Sequence, residues 1–545
     1  MSWASELYRV YDLAVGTDDT MLPVSHSTAN AQIEVTLDEH GTFRGARQVD
    51  KEDAVTVIPV TEDSGARSSG ICPMPFADKL VYIAGDYPNY AVGKRADNAD
   101  YFHAYMTQLE AWKDSPYTHG AVRAVFTYLL RSELMQDLVK SGVLVTDDAG
   151  KLKSGAKIGA VAQEDAFVRF AVQYDDLLHE MHTWKDASLY GSFQAFNASR
   201  MENEKLCYAT GDRIPATYKH PSKIRNTGDK AKLISSNDES GFTYRGRFAN
   251  KEEALSVSYD FSQKMHNALK WLIRKQGQSY GSLTLVTWAS ALEALPDELG
   301  EHPVEDGWED DDETVYDTLP LYKDKLRKFL TGYRQTFRND TKVMLLGLDA
   351  ATTGRLSVAL YEELQGSDFL RNLERWHGNS AWLRYDGKKE KNTVRSFSLY
   401  EIIRAAYGTE QGGKLECDEK LTRDQLLRLL PCVMKGRPVP GDLIQALYHK
   451  ASNPLSYEKR YNHRTVIEVI CGMTRAKSKG VLAMGYDPKE TDRSYLYGCL
   501  LAIADAAERE ALDKEDRDKR VTNARRYWNA FSQHPYQIWG IIEKI

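Results

Sequence analysis

The hydrophobic positions near the start of the chain alternate with polar ones. In "AQIEVTLDEHGTF", single polar residues separate Ile33, Val35 and Leu37, and the dipeptide "HG" follows as a turn signal. The pattern then continues over residues 43–49. A period of two predicts a strand with one buried face. We therefore predict an antiparallel meander, with "AVTVIPV" (54–60) as its third strand.

Other parts of the chain have apolar residues three and four positions apart, which predicts helices. After about Leu421 the strand pattern ends. Only helical spacing remains, and we expect Leu496, Leu500 and Ile503 to share one helix face there. Before that point, the predicted helices are "ADYFHAYMTQLEAWKDS" and "AVRAVFTYLLRSELMQDLV", and the predicted later strands are "GSLTLVTWAS" and "RLSVALY".

These patterns predict an α+β fold with two parts. The N-terminal part, 1–400, mixes antiparallel sheets with helices, and the C-terminal part, 421–545, is an all-α helical bundle. Residues 401–420 are predicted to link them. A chain of 545 residues is long enough to bury the cores that such a division requires.

Composition excludes several classes of protein. Hydrophobic residues make up 42% and charged residues 27%, as in a globular protein. No apolar run reaches the roughly 18–20 residues of a membrane span, and the start has no basic segment followed by a long apolar one. We therefore expect a cytoplasmic protein with no membrane contact. The six cysteines form no CxxC pair, so we expect buried thiols rather than disulfides or a zinc ribbon.

The net charge of −7 hides a strongly uneven distribution. From 213 to 247 there are eight Lys or Arg residues against three acidic ones. From 301 to 317 there are nine acidic residues and no Lys or Arg, which is typical of an exposed loop or linker. The basic stretch is the part of the chain suited to a polyanionic partner.

The motifs of common enzymes and metal sites are missing from the sequence. There is no GxSxG elbow and no HExxH, and His179 and His182, on a predicted helix, are too few to bind a metal without further ligands. The stretch "GKLKSGAK" lacks the Lys-Ser/Thr pair of a phosphate-binding loop and is interpreted as a turn. We therefore predict no catalytic residues, no metal and no cofactor.

The basic stretch mixes charged and neutral donors in a way that suits phosphate and ribose oxygens. Aromatic residues that could stack on unpaired bases flank it, namely Tyr208, Tyr218, Phe242 and Tyr244. The alternative interpretation is a solvated basic loop. The candidate phosphate-binding residues are Lys219, His220, Lys223, Arg225, Lys230, Lys232 and Arg245.

A second candidate is the loop "TEDSGARSSGICPMPFADKLVYI" (61–83). It brings together Arg67, two serines and a glycine, and prolines at 73 and 75 stiffen the segment that follows. Taken alone, such a loop could bind a phosphate, carry a nucleophile or simply turn the chain.

Five segments, in order along the chain, resemble one known family. Together they are similar to the large subunit of the type I-C CRISPR surveillance complex, Cascade. The stretch "YRGRF" (244–248) departs from the family's glycine- and serine-rich pattern. The five segments are "LPVSHSTANAQIEVTLDEHGTF", "IPVTEDSGARSSGICPMPFADKLVYIAGDY", "LCYATGDRIPATYKHPSKIRNTGDKAKLISSND", "LGLDAATTGRLSVALYEEL" and "NARRYWNAFSQHPYQIW".

The resemblance implies a non-enzymatic subunit that lies near the 5′ end of the guide RNA. It recognises the protospacer-adjacent motif on target double-stranded DNA before the strands separate. The implied partners are the Cascade backbone subunits, the subunit that caps the guide 5′ end, the small subunit, and a helicase-nuclease recruited after target binding. The helices of 421–545 resemble the small subunit, which in this subtype is made from inside the large-subunit gene. We expect its start upstream of the helix with Leu426, Leu427, Leu429 and Leu430, rather than at Met434.

Within this resemblance we predict that the loop around Arg67 reads the motif. A planar guanidinium and short donors on a stiffened loop can contact base edges at little entropic cost. In the alternative, Arg67 pairs with Glu62 or Asp63 and only closes the turn. The predicted motif-reading residues are Arg67, Ser68, Ser69, Gly70 and Lys79, with Lys79 at a phosphate or at the point of strand separation.

Two other functions stay open at the level of sequence. The basic loops with His220 and Tyr208 could form an endoribonuclease that processes the guide precursor by acid-base chemistry. Alternatively, the chain could be a scaffold whose basic loops bind only proteins. Steeply salt-dependent binding to nucleic acid would separate the scaffold from a nucleic-acid-binding protein.

Overall fold

The computed structural model describes residues 3–16, 18, 20–65, 67, 70–92, 97–175, 179–202, 204–226, 228–235, 248, 253, 255–296, 318–352, 354–386, 391–513 and 520–544. The chain divides into two compact units. Unit 1 comprises Met1–Gln276 and Ala350–Ser357, and unit 2 comprises Gly277–Asp349 and Val358–Ile545. Each unit is described separately.

Unit 1 begins with a helix and then forms four small sheets and several further helices. Its strands are β1 (His26–Asn30), β2 (Ile33–Asp38), β3 (Phe43–Gln48), β4 (Val55–Pro59), β5 (Lys157–Ile158), β6 (Val161–Ala162), β7 (Val168–Gln173), β8 (Glu204–Leu206), β9 (Arg213–Thr217) and β10 (Val257–Ser258). Its helices are α1 (Trp3–Ala14), α2 (Glu62–Gly65), α3 (Leu80–Ile83), α4 (Tyr87–Tyr90), α5 (Ala99–Lys113), α6 (Gly120–Leu129), α7 (Leu134–Lys140), α8 (Ala187–Ser199) and α9 (Tyr259–Gln276).

The predicted hairpin of β2 and β3 is confirmed, but the predicted meander is wrong. Strand β2 pairs antiparallel with β3 on one side and parallel with β7 on the other. The third predicted strand, β4, pairs instead with β1 in a separate ladder. Alternation identifies a strand and its buried face, whereas the partner depends on contacts from distant parts of the chain.

The side chains that the alternation placed inward are in the core of unit 1. Ile33, Val35 and Leu37 are fully buried and pack in one cluster with Trp112 of α5 and Phe170 of β7. The predicted helices α5 and α6 both form and lie in this cluster. Burying side chains of this size contributes roughly 1.5–3 kcal/mol each to folding.

One polar position of β2 is also buried, contrary to simple alternation. Glu34 accepts hydrogen bonds from Arg169 of β7 (Nη2 to Oε2, 2.7 Å) and from Arg47 of β3 (Nη2 to Oε2, 2.8 Å). Burial raises the pKa of Glu34, but the hydrogen bonds from the two arginines outweigh it and lower the pKa. The Arg169 guanidinium also lies over the Trp184 ring, 3.7 Å from its centroid. The negative charge of Glu34 is therefore buried in contact with the two guanidinium groups that neutralise it.

Helix α9 packs along α1 within unit 1. Most of its side chains are buried, on nearly all faces. A helix buried on all sides belongs to the interior of its unit. Lys270, near its middle, is only partly buried.

Unit 2 contains one four-stranded antiparallel sheet and many helices. The sheet order is β11-β12-β13-β14, and residues 350–357 of the β13-β14 hairpin belong to unit 1. The strands are β11 (Gln278–Tyr280), β12 (Leu283–Ala289), β13 (Lys342–Thr352), β14 (Arg355–Gln365), β15 (Trp382–Asp386), β16 (Lys391–Arg395), β17 (Thr409–Gln411) and β18 (Lys414–Glu416). The helices are α10 (Leu319–Thr336), α11 (Gly366–Ser380), α12 (Leu399–Tyr407), α13 (Glu419–Lys435), α14 (Gly441–Ala451), α15 (Arg460–Lys477), α16 (Arg493–Ala511), α17 (Asn523–Arg526), α18 (Trp528–Gln533) and α19 (Pro535–Ile542).

The prediction of an α+β fold with helices at the C-terminus is confirmed. The boundaries 1–400 and 421–545 stay a prediction, and residues 399–416 contain α12 and the β17-β18 hairpin. Helices α13, α14 and α15 share one hydrophobic cluster with β12, α11 and α12. Leu426, Leu429 and Leu430 are buried in this cluster.

Two smaller expectations about helices have different outcomes. Leu496, Leu500 and Ile503 of α16 share one face, as expected, and this face is 45%, 37% and 65% exposed at the three residues. His179 and His182 lie in an irregular segment rather than on a helix, and His182 is bonded to Glu180.

The expectations about membrane spans and cysteines can be compared with the structure. In the described part of the chain, no helix is both long enough and apolar enough to cross a membrane. All six cysteines are free thiols. Cys207 and Cys432 are buried, as expected, whereas the other four are partly exposed.

Candidate nucleic-acid interface

The loop around Arg67 is held by a buried carboxylate. Arg67 donates from Nη1 to Asp78 Oδ2 (2.8 Å) and from Nη2 to Asp78 Oδ1 (3.0 Å). Nη1 also donates to the carbonyl oxygen of Cys72 (3.0 Å), and the guanidinium lies 4.7 Å from the centroid of the Tyr82 ring. Burial lowers the pKa of Arg67, but the hydrogen bonds and charge of Asp78 outweigh it and raise the pKa.

Asp78 accepts the hydrogen bonds that hold this loop together. It is fully buried and also accepts the backbone N–H groups of Met74 (2.8 Å) and Lys79 (2.8 Å). The alternative prediction, in which Arg67 pairs with Glu62 or Asp63, named the wrong partners. A guanidinium has five N–H donors, and these contacts use three of them. The Tyr82 side chain also hydrogen-bonds the guanidinium, so most of its donors are engaged within the loop.

Two of the other predicted motif-reading residues, Gly70 and Lys79, are described. Gly70 is exposed and has φ of 79°, a left-handed backbone conformation that favours glycine. Lys79 is 40% exposed and pairs with Asp165 (Nζ to Oδ1, 3.1 Å). Ser68 and Ser69 lie outside the described residues, so their predicted role stays a prediction.

Glu62 joins this loop to the basic stretch. Its Oε1 accepts hydrogen bonds from the Thr217 hydroxyl (2.8 Å), the Tyr218 amide (2.9 Å) and the Lys219 amide (2.7 Å). The neighbouring Asp63 bonds the Lys219 ammonium. The two stretches that the sequence separates by about 150 residues are therefore adjacent in unit 1.

The basic stretch contains both exposed and internally bonded cations. Lys223 and Lys230 are exposed, and Lys223 has a left-handed backbone (φ 58°), which is uncommon outside glycine. Arg225 is paired with Asp229 (Nε to Oδ2, 2.8 Å), and both side chains are largely buried. Lys232 is partly buried, and its backbone forms a parallel bridge to Arg355. The predicted Arg245, with Phe242 and Tyr244, lies outside the described residues.

His220 is the most enclosed of the predicted phosphate-binding residues. It is 1% exposed, and its Nδ1 lies 2.9 Å from the Ser262 Oγ. Desolvation, followed by the charge of Lys232, lowers the pKa of His220 to about 3. His220 is therefore neutral near pH 7 and contributes no charge to the surface of the basic stretch.

A cleft opens between the loop and the basic stretch. Its polar lining includes Glu62, Lys219, His220, Lys223 and Lys270. The cleft therefore brings together charged side chains from both predicted stretches and from α9. The predicted residues Arg67, Lys79, Arg225, Lys230 and Lys232 are not in its lining.

Sequence reasoning missed Lys270. It belongs to α9, 23 residues beyond the basic stretch (213–247), and its neighbours in the chain are Leu269 and Trp271, which are both buried. Desolvation, followed by the charges of Lys223 and Arg274, lowers the pKa of Lys270 to about 8. The signal in the sequence is a lysine within the apolar helix stretch "NALKWLI". Lysine is seldom buried unless it is paired.

Taken together, these features define an α+β protein with a basic cleft and a loop held by a buried ion pair. A family model described as "CRISPR-associated protein (Cas_Csd1)" matches residues 7–545. The chain belongs to this family of CRISPR-associated proteins. Membership in this family implies that the chain is a large subunit of a Cascade complex. The resemblance seen in the sequence is confirmed to that extent. A search of curated protein sequences found no match.

Proposed function

We propose that this chain is the large subunit of a type I-C Cascade complex. It binds guide RNA, recognises the protospacer-adjacent motif on target double-stranded DNA, and promotes strand separation and R-loop formation in antiviral defence. The observation that carries the proposal is the family match over residues 7–545, in a chain whose two predicted contact stretches border one basic cleft.

The loop and the cleft suit different parts of this task. In RNA-guided complexes, base pairing with the guide reads most of the target, and the protein reads only the short adjacent motif. In this proposal Asp78 positions Arg67, and the part of the guanidinium that the loop leaves unbonded contacts a base edge. The exposed Lys223 and Lys230 suit phosphates, which position the nucleic acid without reading its sequence.

The proposed role is non-enzymatic. The endoribonuclease alternative relies on His220 for proton transfer, yet this side chain is 1% exposed and its pKa is lowered to about 3. An efficient general acid or base has a pKa near the working pH. Cleavage of the target is then the task of the helicase-nuclease that the complex recruits.

The proposed partners follow from the same role. They are the guide RNA, the target duplex, the Cascade backbone subunits, the subunit at the guide 5′ end and the helicase-nuclease. The small subunit is proposed to be an internal translation product of the same gene. The buried Leu426, Leu429 and Leu430 favour a start upstream of α13, because a start at Met434 would remove the helix that they belong to.

Co-purification tests the proposed assembly. When the chain is tagged and expressed with its CRISPR locus, we expect it to copurify with a guide RNA of uniform length and with a backbone subunit present in several copies. Native mass spectrometry gives the composition. Recovery of the tagged chain alone, from cells in which guide RNA and backbone subunits are present, would contradict the proposal.

A salt titration tests the basic stretch. We expect the double variant Lys223→Ala/Lys230→Ala to bind single-stranded RNA more weakly, with the slope of log K against log[salt] reduced by about 0.7–1 for each lost contact, since fewer counterions are released. Fluorescence anisotropy measures the slope. The matched control is Lys140→Ala/Lys157→Ala, which removes two exposed lysines elsewhere in unit 1. Equal slopes for the two double variants would show that the stretch is a solvated surface.

A further inference from the structure

The cleft between the Arg67 loop and the basic stretch is built entirely from unit 1. Strand β1, the end of β4, helix α2 and residues 219–223 form its walls, and α9 contributes Gln263 and Lys270. Its lining contains both cationic and apolar side chains.

The cations of the cleft are only partly neutralised. Glu62, the carboxylate in the lining, already accepts three hydrogen bonds at Oε1, and Lys219 is bonded to Asp63. Among the residues that the structure describes, the ammonium groups of Lys223 and Lys270 have no carboxylate partner. A partly buried cation beside another cation is unfavourable, and a bound anion would offset that cost.

A buried polar atom of the cleft lining also lacks a partner. His220 lines the cleft, its Nδ1 lies 2.9 Å from the Ser262 Oγ, and its Nε2 has no hydrogen-bond partner in the described part of the chain. When the Ser262 hydroxyl donates to Nδ1, the proton of the neutral ring is on Nε2, which is then a donor for an anionic oxygen.

The apolar part of the lining offers little surface to a base. Ile58, at the end of β4, and Val60, just after it, are 2% and 4% exposed, and Met74 packs against the core of unit 1. Among the described residues, no Phe, Tyr or Trp side chain lines the cleft to stack on a base. The cleft therefore suits the phosphate of a nucleotide rather than its base.

We propose that this cleft binds one phosphate group of single-stranded nucleic acid, held by the ammonium groups of Lys223 and Lys270. This inference rests on the proposed function and adds to it a defined site and a residue, Lys270, that lies outside the basic stretch. The lowered pKa of Lys270 agrees with a cation that is desolvated and lacks a counter-charge.

The test uses the full chain and two fluorescein-labelled probes, a 12-nucleotide RNA and a DNA of the same sequence. We expect Lys270→Met to weaken binding about five- to tenfold at 0.1 M salt, the effect of losing one phosphate contact. Methionine keeps the length of the side chain and suits an apolar helix. The control is Lys275→Met, which removes an exposed lysine from the same helix and should change binding less than twofold.

If Lys270→Met does not fold, a second measurement on the unaltered chain still tests the cleft. Pyridoxal 5′-phosphate carries a phosphate and an aldehyde. The aldehyde condenses with a neutral lysine amine and releases water, and borohydride then reduces the imine to a stable amine. We expect Lys270 to be labelled ahead of exposed lysines such as Lys275, and saturating probe to suppress the label. Peptide mass spectrometry identifies the labelled residue.

The outcomes separate this inference from the proposed function. A loss confined to RNA assigns the cleft to the guide, a loss confined to DNA assigns it to the displaced strand, and an equal loss assigns it to a phosphate in either; all three support the cleft. Binding by Lys270→Met equal to that of Lys275→Met, or labelling of Lys270 unaffected by the probe, overturns the cleft alone. If the unaltered chain binds neither probe with salt dependence, the proposed function itself fails.

Discussion

Replacing Asp78 by alanine is expected to lower the free energy of unfolding by about 3–5 kcal/mol, the cost of removing one partner of a buried ion pair. Asp78 is fully buried, and it binds Arg67 through both carboxylate oxygens and accepts two backbone amides. Without it, the guanidinium of Arg67, only 18% exposed, and both amides lose their acceptor. Urea unfolding followed by tryptophan fluorescence measures the loss.

The chain provides a matched control for this prediction. Asp165 pairs with Lys79 in the same part of unit 1, but both side chains are about 40% exposed. An exposed pair contributes about 0–1 kcal/mol, so Asp165→Ala should change stability little. If Asp78→Ala is no more destabilising than Asp165→Ala, Arg67 is not held by Asp78 in solution.

Replacing Arg67 by alanine is expected to remove discrimination of the adjacent motif. On duplexes with the correct motif the assembled complex should lose on the order of 1–3 kcal/mol of binding free energy, and on duplexes without it very little. We expect the part of the guanidinium that Asp78, Cys72 and Tyr82 leave unbonded to read a base edge. Competition binding with guide-loaded complex measures both affinities.

Two further variants show which property of Arg67 matters. Arg67→Lys keeps a positive charge beside Asp78 but lacks the planar fork, so it should retain assembly and lose discrimination. Lys79→Ala should weaken binding to both duplexes alike, as expected for a phosphate contact. Equal weakening on both duplexes by Arg67→Ala would instead make Arg67 a phosphate contact.

The local structure could largely be predicted from the sequence, and the pairing of distant segments could not. The β2-β3 hairpin has its turn and its alternation within sixteen residues, so local signals were sufficient. Strand β4 pairs with β1 across the β2-β3 hairpin, and no local pattern specifies that choice. Similarly, Glu34 has a polar position in the alternation, yet it is buried because Arg169 comes from a strand 135 residues away.

The candidate site shows the same limit. The density of Lys and Arg along the chain identified residues 213–247, but Lys270 reaches the cleft from a buried helix with few charges around it. For Arg67, the nearer acidic residues suggested Glu62 or Asp63 as partners. The structure pairs it with Asp78, because Asp78 is buried within the loop, whereas Glu62 bonds residues 217–219.

The central claim is that this chain reads a short motif beside the target. The most direct measurement uses guide-loaded complex and a pool of duplexes that carry the matching target next to randomised base pairs. The bound duplexes are recovered and sequenced. The account predicts enrichment of one short motif at fixed positions beside the target, and loss of that enrichment in the Arg67→Ala complex. Bound duplexes with no preference at the randomised positions would contradict it.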